Sequence, residues 1–592
     1  MFKRVKNIFL VCILVLSSAG ATAQIKNIGV PFIYNYPRAT YGASGQNWSI
    51  TQDERGFIYF GNNDGVLKYD GNEWNLFPTN NLSIVRSVLA VGDTIFVGAF
   101  EEIGMLAPNN ENKMTYKSLN HLIPRQFSKF DEIWNIFYHK GEIFFQSFEY
   151  IFILRDDSLR VIEPISNFGM LFYSKGKFYV VDNSAGLMTL HNGRMELLSD
   201  HPVFMRNEIR SVMQLDYGRL LIGTSNEGLF VLENGRLIPW ITEVNIQLKE
   251  NKLFSVLVTS DGYMVFGSVR NGVFITDKEG VIVQHLNRIK GLQNNTVLSL
   301  FEDRQKNLWL GLDNGIDFVG ARSPLSLLNH NFNIESVYTS IIHNGILYIG
   351  TNQGLFAMNY ENLTRTGASE STFALIDGTE GQVWSLSVIY NSLFAGHNFG
   401  CFLVDDFRAT KISDVRGFWS FIEPPHTRDL IIAGTYSGLK KLSRINNRWQ
   451  SVGQITGFYE SSRSLFMDSF NNLWVSHGYK GLFKLRLNLS LDSVLDVKLI
   501  RGNHGLPEEL PYNIQIIDSE MVITTNAGIF KYDYHNHSFV KCDKFNPLFQ
   551  DKGLIDKLYQ DNDGNIWYFT SSYMGVLRLL EDASYRDITV PF

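Results

Sequence analysis

Val297-Leu298-Ser299-Leu300-Phe301-Glu302-Asp303, then Asn307-Leu308-Trp309-Leu310-Gly311, then Asp313-Asn314-Gly315-Ile316, is the stretch that decides the fold. It reads as a short apolar strand, a polar turn, a second strand ending in Gly, and a tight turn into Gly-apolar. Ile50 to Asp53, Gly56, Ile58-Tyr59-Phe60-Gly61 and Gly65-Val66-Leu67 repeat it upstream. Leu465-Phe466-Met467-Asp468, Leu473-Trp474-Val475 and Gly481-Leu482-Phe483 repeat it downstream. Further copies centre on Gly98, Gly223, Gly267, Gly350, Gly396 and Gly434, with weaker ones near Phe145, Val180, Thr524 and Tyr568.

The copies recur at roughly 37–48 residues, the period of a propeller blade rather than of a solenoid coil. One small sheet exposes two faces, and sheets stacked around an axis cover each other. The expected fold is all-β, with two tandem β-propellers of about seven four-stranded blades each. About thirteen copies are countable. The first ring runs over 24–322 and the second over 323–592, with Ala321-Arg322-Ser323-Pro324 as the junction. The second ring reads one blade short. Either Ile25 to Gln46 supplies the missing strands or, the favoured expectation, the chain is truncated. The Gly closing each second strand is expected to give the chain a positive φ. The Trp or Tyr before it is expected to fill space between blades.

Composition agrees. Aromatic residues make up 14% of the 592, and charged residues only 19%, so disorder over most of the length is not expected. A net charge of -6 gives no basic footprint and disfavours a nucleic-acid partner. Lys3, Arg4 and Lys6, the apolar run Ile8 to Leu16 and the Ala21-Thr22-Ala23 site read as a cleavable signal peptide over 1–23. The mature chain is then expected in the periplasm. Cys12 leaves with the signal, and Cys401 and Cys542 are expected to pack as small buried groups.

The blade pattern resembles the two-component regulator propeller repeat. Asp303, Asn307-Leu308-Trp309, Gly311 and Gly315-Ile316 match it, as do Asp563-Gly564-Asn565-Ile566-Trp567 and Gly350-Thr351 with Gly354-Leu355. The blades near 145 and 180 depart from it. Pro31 to Tyr36, Gln46-Asn47-Trp48, Gly417-Phe418-Trp419, Ser476 to Gly481 and Leu510 to Asn513 look like the extracytoplasmic half of Bacteroidetes regulators of the triple-tyrosine-motif type. That resemblance implies ligand sensing. It also implies a Tyr-rich sandwich, a transmembrane helix and a kinase or DNA-binding output downstream, none of which lies in this chain. A homodimer is compatible with it.

The residues that start each inner strand are expected to ring the channel mouth. The first ring offers Trp48, Arg86, Trp134, Arg210 and Phe254, with Arg270 in a nearby turn. The second offers Tyr338, Trp384, Trp419, Arg463 and Tyr512, with His397, Tyr436, His477 and Tyr479 in turns. Small polar residues follow them, among them Ser49, Ser87, Ser211, Ser255, Ser385 and Ser420. Aromatic faces cover sugar rings, hydroxyls hydrogen-bond, and Arg pairs with carboxylate or sulfate, so an oligosaccharide or similar solute is the expected ligand.

No His-Glu-x-x-His, P-loop, Gly-x-Ser-x-Gly or paired-cysteine motif occurs, so no catalytic residue, metal or cofactor is assigned. Asp561-Asn562-Asp563-Gly564-Asn565 reads as a hairpin turn, because position 572 is Ser572 where a calcium loop needs Glu. A propeller hydrolase or lyase using Glu102, Asp131 or Glu132 remains an alternative, as does a protein-interaction scaffold. A sialidase is disfavoured, because its three arginines must meet in one ring and Arg463 falls in the other.

Overall fold

The computed structural model describes residues 25, 28–109, 113–191, 193–216, 218–323, 325–328, 332–364, 372–550 and 552–589. The leader read over 1–23, with Cys12, lies outside them. The described residues form thirteen four-stranded antiparallel sheets, a tandem β-propeller architecture. The chain divides into two compact units at Leu327 and Leu328.

The first sheet shows the plan: β2 (Asn47–Gln52), β3 (Ile58–Asn62), β4 (Gly65–Tyr69) and β5 (Trp74–Phe77) lie in sequence order, with β1 (Phe32–Tyr36) preceding them. Unit 1 contains seven such sheets. Their first strands touch in sequence order, and the seventh, Val297–Glu302, returns to touch β2. The core is a series of apolar layers between neighbouring sheets, such as Tyr59, Val66, Val85, Val97 and Leu106.

The seventh sheet draws only three strands from its own stretch. Its fourth is β1, antiparallel to Ile316–Gly320, with Phe32 opposite Gly320 and Tyr36 opposite Ile316. Tyr36 stacks on Trp309 at 5.8 Å and meets Tyr69 and Trp74 at 5.3 Å edge-on. Asn35 Nδ2 donates to the buried Asp317 carboxylate at 2.7 Å. This corrects the less favoured alternative, that Ile25 to Gln46 supplies strands to the second ring. The aromatic socket and the Asp317 acceptor belong to unit 1, so that is where the strand docks. Unit 2 contains six sheets among the described residues, beginning with Val337–His343 and ending with Tyr585–Ile588.

The repeated Asp-x-x-x-Asn-x-Trp spacing ties each hairpin together. Asp303 accepts from the Asn307 backbone N–H at 2.9 Å and from Trp309 Nε1 at 3.1 Å. Asp468 does the same for Asn472 and Trp474, and Asp561 for Asn565 and Trp567. One carboxylate thus satisfies a turn donor and an indole that would otherwise lose water unpaired. Asp561 to Asn565 is such a turn. Cys401 and Cys542 are both buried and free.

The glycine closing each second strand has a different cause from the expected one. Gly61, Gly98, Gly223, Gly267 and Gly311 sit inside the strands, opposite Ser49, Ser87, Ser211, Ser255 and Ser299. None adopts a positive φ. A Cβ on Gly311 would lie 2.1 Å from Ser299 Oγ and 2.5 Å from the Asn47 carbonyl oxygen. Close packing, not turn geometry, excludes a side chain there. Positive φ belongs to the later glycine, such as Gly315 at 108°.

Candidate functional site

The first strand of most blades carries a register shift at its second residue. In unit 1 the pairing skips between Asn47 and Ser49, Val85 and Ser87, Ile209 and Ser211, Leu253 and Ser255, and Val297 and Ser299. The residues left out of the ladder are Trp48, Arg86, Arg210, Phe254 and Leu298. A bulge frees one residue from pairing and re-aims its side chain. Here each freed residue lines the axial channel of unit 1, a cavity of about 610 Å³ to which all seven first strands contribute. Trp134 joins them from just before its strand, its N–H donating to the Gln146 carbonyl at 2.8 Å.

The rim is a chain of rings and guanidinium groups. Arg86 lies 3.9 Å over Trp48 and 4.7 Å from the centre of Trp134. Trp48 and Trp134 meet edge-on at 6.2 Å, and Trp48 and Phe254 lie 6.5 Å apart. Arg210 lies 4.4 Å over Phe254. Arg86 Nη2 pairs with Glu132 Oε1 at 2.9 Å, and Arg210 pairs with Glu208. Trp48 Nε1 donates to Asn63 Oδ1 at 2.7 Å.

Behind Trp134 sits an acidic pair. Phe148 stacks on Trp134 at 5.7 Å, its N–H donates to Asp131, and the Asp131 N–H donates to Glu149. Burial first, then the neighbouring Glu149 charge, push the Asp131 carboxyl up to about 7. Glu102 is spent structurally, accepting from Tyr116 and Asn120.

Unit 2 uses the same bulge with other side chains. Skips between Val337 and Thr339 and between Val383 and Ser385 free Tyr338 and Trp384. Tyr338, Trp384, Trp419 and Tyr436 then follow one another at 4.9, 4.8 and 5.1 Å between ring centres. Arg463 stands 5.6 Å from Trp419 and is exposed. Tyr436 donates to Asn398 Oδ1 at 2.8 Å, and burial raises its hydroxyl pKa.

Other expected site residues are placed elsewhere. Tyr512 is 1% exposed and belongs to the core around Trp474, Leu506 and Ile523. Its blade has no bulge at the start of Asn513–Ile517, so nothing turns the ring outward. His397 is buried too, its Nδ1 accepting from the Phe399 N–H at 2.9 Å, and burial lowers its pKa. His477 Nδ1 accepts from the Tyr479 and Lys480 N–H groups, which makes it a turn cap. Tyr479 is 88% exposed. Arg270 is exposed and donates to the Glu250 carbonyl. Of the serines expected to face a ligand, Ser49, Ser211 and Ser255 line the channel of unit 1, while some serines at this position bond across the seam. Ser87, Ser255 and Ser299 donate to the carbonyls of Ile133, Val297 and Asn47 in the next blade, at 2.6, 3.1 and 3.0 Å.

Sequence reading missed Met170, Tyr173 and Lys175, which also line the channel of unit 1. Their blade departs from the repeat. Their signal was their position on the strand Phe168–Ser174 and its following turn.

Repeated four-stranded sheets around a lined axial channel define a β-propeller. Residues 291–314 match the family described as Two component regulator propeller. The extracellular domain of the putative hybrid two component system BT3049 from B. thetaiotaomicron is similar in fold. It has a TM-score of 0.68 at 16% identity, over 94% of this chain and 78% of that one. The extracellular domain of the putative hybrid two component system BT4673 from B. thetaiotaomicron aligns over 94% of this chain and 78% of that one, at 15% identity and a TM-score of 0.42. No curated protein matches the sequence.

Proposed function

We propose that this chain is the extracytoplasmic solute-sensing module of a signal-transduction regulator, and that it binds an oligosaccharide or similar solute without transforming it. The observation that carries this is the repeated bulge. It sends Trp48, Arg86, Arg210 and Phe254 into one channel, where Trp134 joins them. Rings that cover apolar sugar faces and fixed polar groups beside them are the usual constituents of a solute site. The repeat family and the fold shared with a regulator's extracellular domain support the sensing role. No helix among the described residues is long and apolar enough to cross a membrane, so transmission would fall to other segments or partners.

A glycan array followed by thermal-shift titration tests the reading. A solute that raises Tm and is recovered unchanged supports it. Released product would replace it with the hydrolase reading, which Asp131 favours by titrating near neutrality beside Trp134. Silence with every solute, in both rings, would leave a protein-interaction scaffold.

A further inference from the structure

The side chains lining the channel of unit 1 are unbalanced in charge. Arg86, Arg210 and Lys175 line it, and no Asp or Glu is among the described lining residues. Glu132 and Glu208 pair with the two arginines from outside the lining and offset part of that charge, so the excess at the channel wall is partial. Arg86 and Arg210 approach from the starts of their strands. Lys175 sits in the turn that ends Phe168–Ser174, toward the other end of the channel. Cations focused in a low-dielectric cleft raise the local concentration of anions.

The hydrogen-bond inventory has the same sign. Glu132 takes only Nη2 of Arg86, and Arg86 Nε and Nη1 find no acceptor among the described residues. Glu208 takes Nη2 of Arg210, and Arg210 Nε finds none. Trp134 Nε1, on the same rim, is also without an acceptor. All are buried donors, and buried donors in folded proteins are satisfied as a rule. Three indoles inside the blades do follow the rule: Trp309, Trp474 and Trp567 each donate to a carboxylate. The rim therefore holds unanswered guanidinium and indole donors, beside the unpartnered hydroxyls of Ser49 and Ser211, which can donate or accept.

We propose that the axial channel of unit 1 is an acid-recognising site. It would take a solute bearing a carboxylate, sulfate or phosphate, with the acidic group held at the Arg86–Trp134–Arg210 rim and the body of the solute against Trp48 and Phe254. This rests on the solute-binding reading above and narrows it. Guanidinium and indole N–H groups supply charge-assisted bonds that a neutral hydroxyl answers less strongly. Glu208 is largely exposed, so an incoming anion can displace it from Arg210 without stranding a buried carboxylate.

The test is isothermal titration calorimetry on the full chain. The probes are sodium sulfate, galacturonate, trigalacturonate, a sulfated chondroitin tetrasaccharide and neutral maltotetraose. An acidic probe is expected to bind about tenfold or more tighter than maltotetraose and to weaken as NaCl rises. Arg210→Gln should lose about tenfold in affinity for that probe. Arg86→Lys, which keeps the charge but not the planar donors, should lose less. Sulfate or galacturonate binding alone would identify a free small acid. Binding that needs the longer probes would identify an acidic saccharide. Arg86→Gln risks misfolding, because it strands Glu132, and Arg210→Gln avoids that. Maltotetraose binding as tightly as the acids, with loss in Trp48→Ala, would overturn the acid assignment and leave the sensor reading standing. Acid binding untouched by both arginine variants would overturn it too. No binding by any of these probes would overturn the acid assignment, and the sensor reading would then stand or fall on the glycan array.

Discussion

The two rings share one backbone device and apply it to different chemistry. In unit 1 the bulge residues mix rings and guanidinium groups: Trp48, Arg86, Arg210 and Phe254, with Leu298 the one aliphatic member. In unit 2 the bulges free Tyr338, Trp384 and Asp556; the first two continue into Trp419 and Tyr436 as an unbroken aromatic arc, with Arg463 beside Trp419. The difference teaches that the repeat specifies where a side chain goes and leaves open which one it is. The following Ser and the facing Gly set the seam between blades, and the residue they leave unpaired is free to vary.

The largest expected effect breaks the structural side of the comparison. Among the described residues only unit 1 borrows a strand from far away in sequence, so deleting residues 28–37 should unfold unit 1 and spare unit 2. The loss should be about 5 kcal/mol or more, a domain's whole margin, seen by calorimetry as one transition removed. Next, Trp48→Ala and the double change Trp384→Ala with Trp419→Ala assign binding to one ring. Whichever ring holds the solute should lose about a hundredfold in affinity when its rings are cut, roughly 2.8 kcal/mol, with the fold retained by circular dichroism. An unchanged affinity in both variants would refute the rim as the site.

A smaller effect sharpens the account of the seam. Gly311→Ala places a methyl against Ser299 and the Asn47 carbonyl and should cost about 2 kcal/mol in urea unfolding. Gly141→Ala meets nothing within 4 Å and should cost about 1 kcal/mol, from its positive φ alone. If the two cost the same, the close-packing explanation fails.

The smallest effect concerns Asp131. Its carboxyl ionises near about 4 in an unfolded chain and at about 7 in the folded protein. The folded state holds the proton more tightly, so this group makes stability fall as pH climbs from about 4 through 7, with no further change outside that window. Asp131→Asn should remove that slope. It should gain about 1 kcal/mol over the parent at pH 8 and nothing at pH 4, the figure being discounted for half-exposure. Equal slopes in the two proteins would show the carboxyl to be unperturbed.

These contrasts also mark what could be read before any coordinates. The rim was legible because Trp48, Arg86, Arg210, Phe254, Tyr338 and Trp384 each precede a small residue at the start of an apolar strand, and that local pattern is the bulge. Tyr512 precedes Asn513 in the same way and yet turns inward, because bulging depends on backbone pairing that residue types do not spell out. The glycines were placed rightly and explained wrongly, since Gly311 answers to Asn47 in another blade. Strand β1 was legible as apolar and aromatic, but its partner lies hundreds of residues away and shares no local signal with it.

That long-distance pairing bears on how the protein is made. Phe32–Tyr36 leaves the ribosome well before Ile316–Gly320 exists to receive it. Throughout that interval the nascent ribbon has two raw margins, each a template for stray pairing. Completion then comes in a single stroke, when the earliest strand meets the last. A holdase that shields Phe32 to Tyr36 during synthesis would be expected to raise the yield of active protein without altering its final stability.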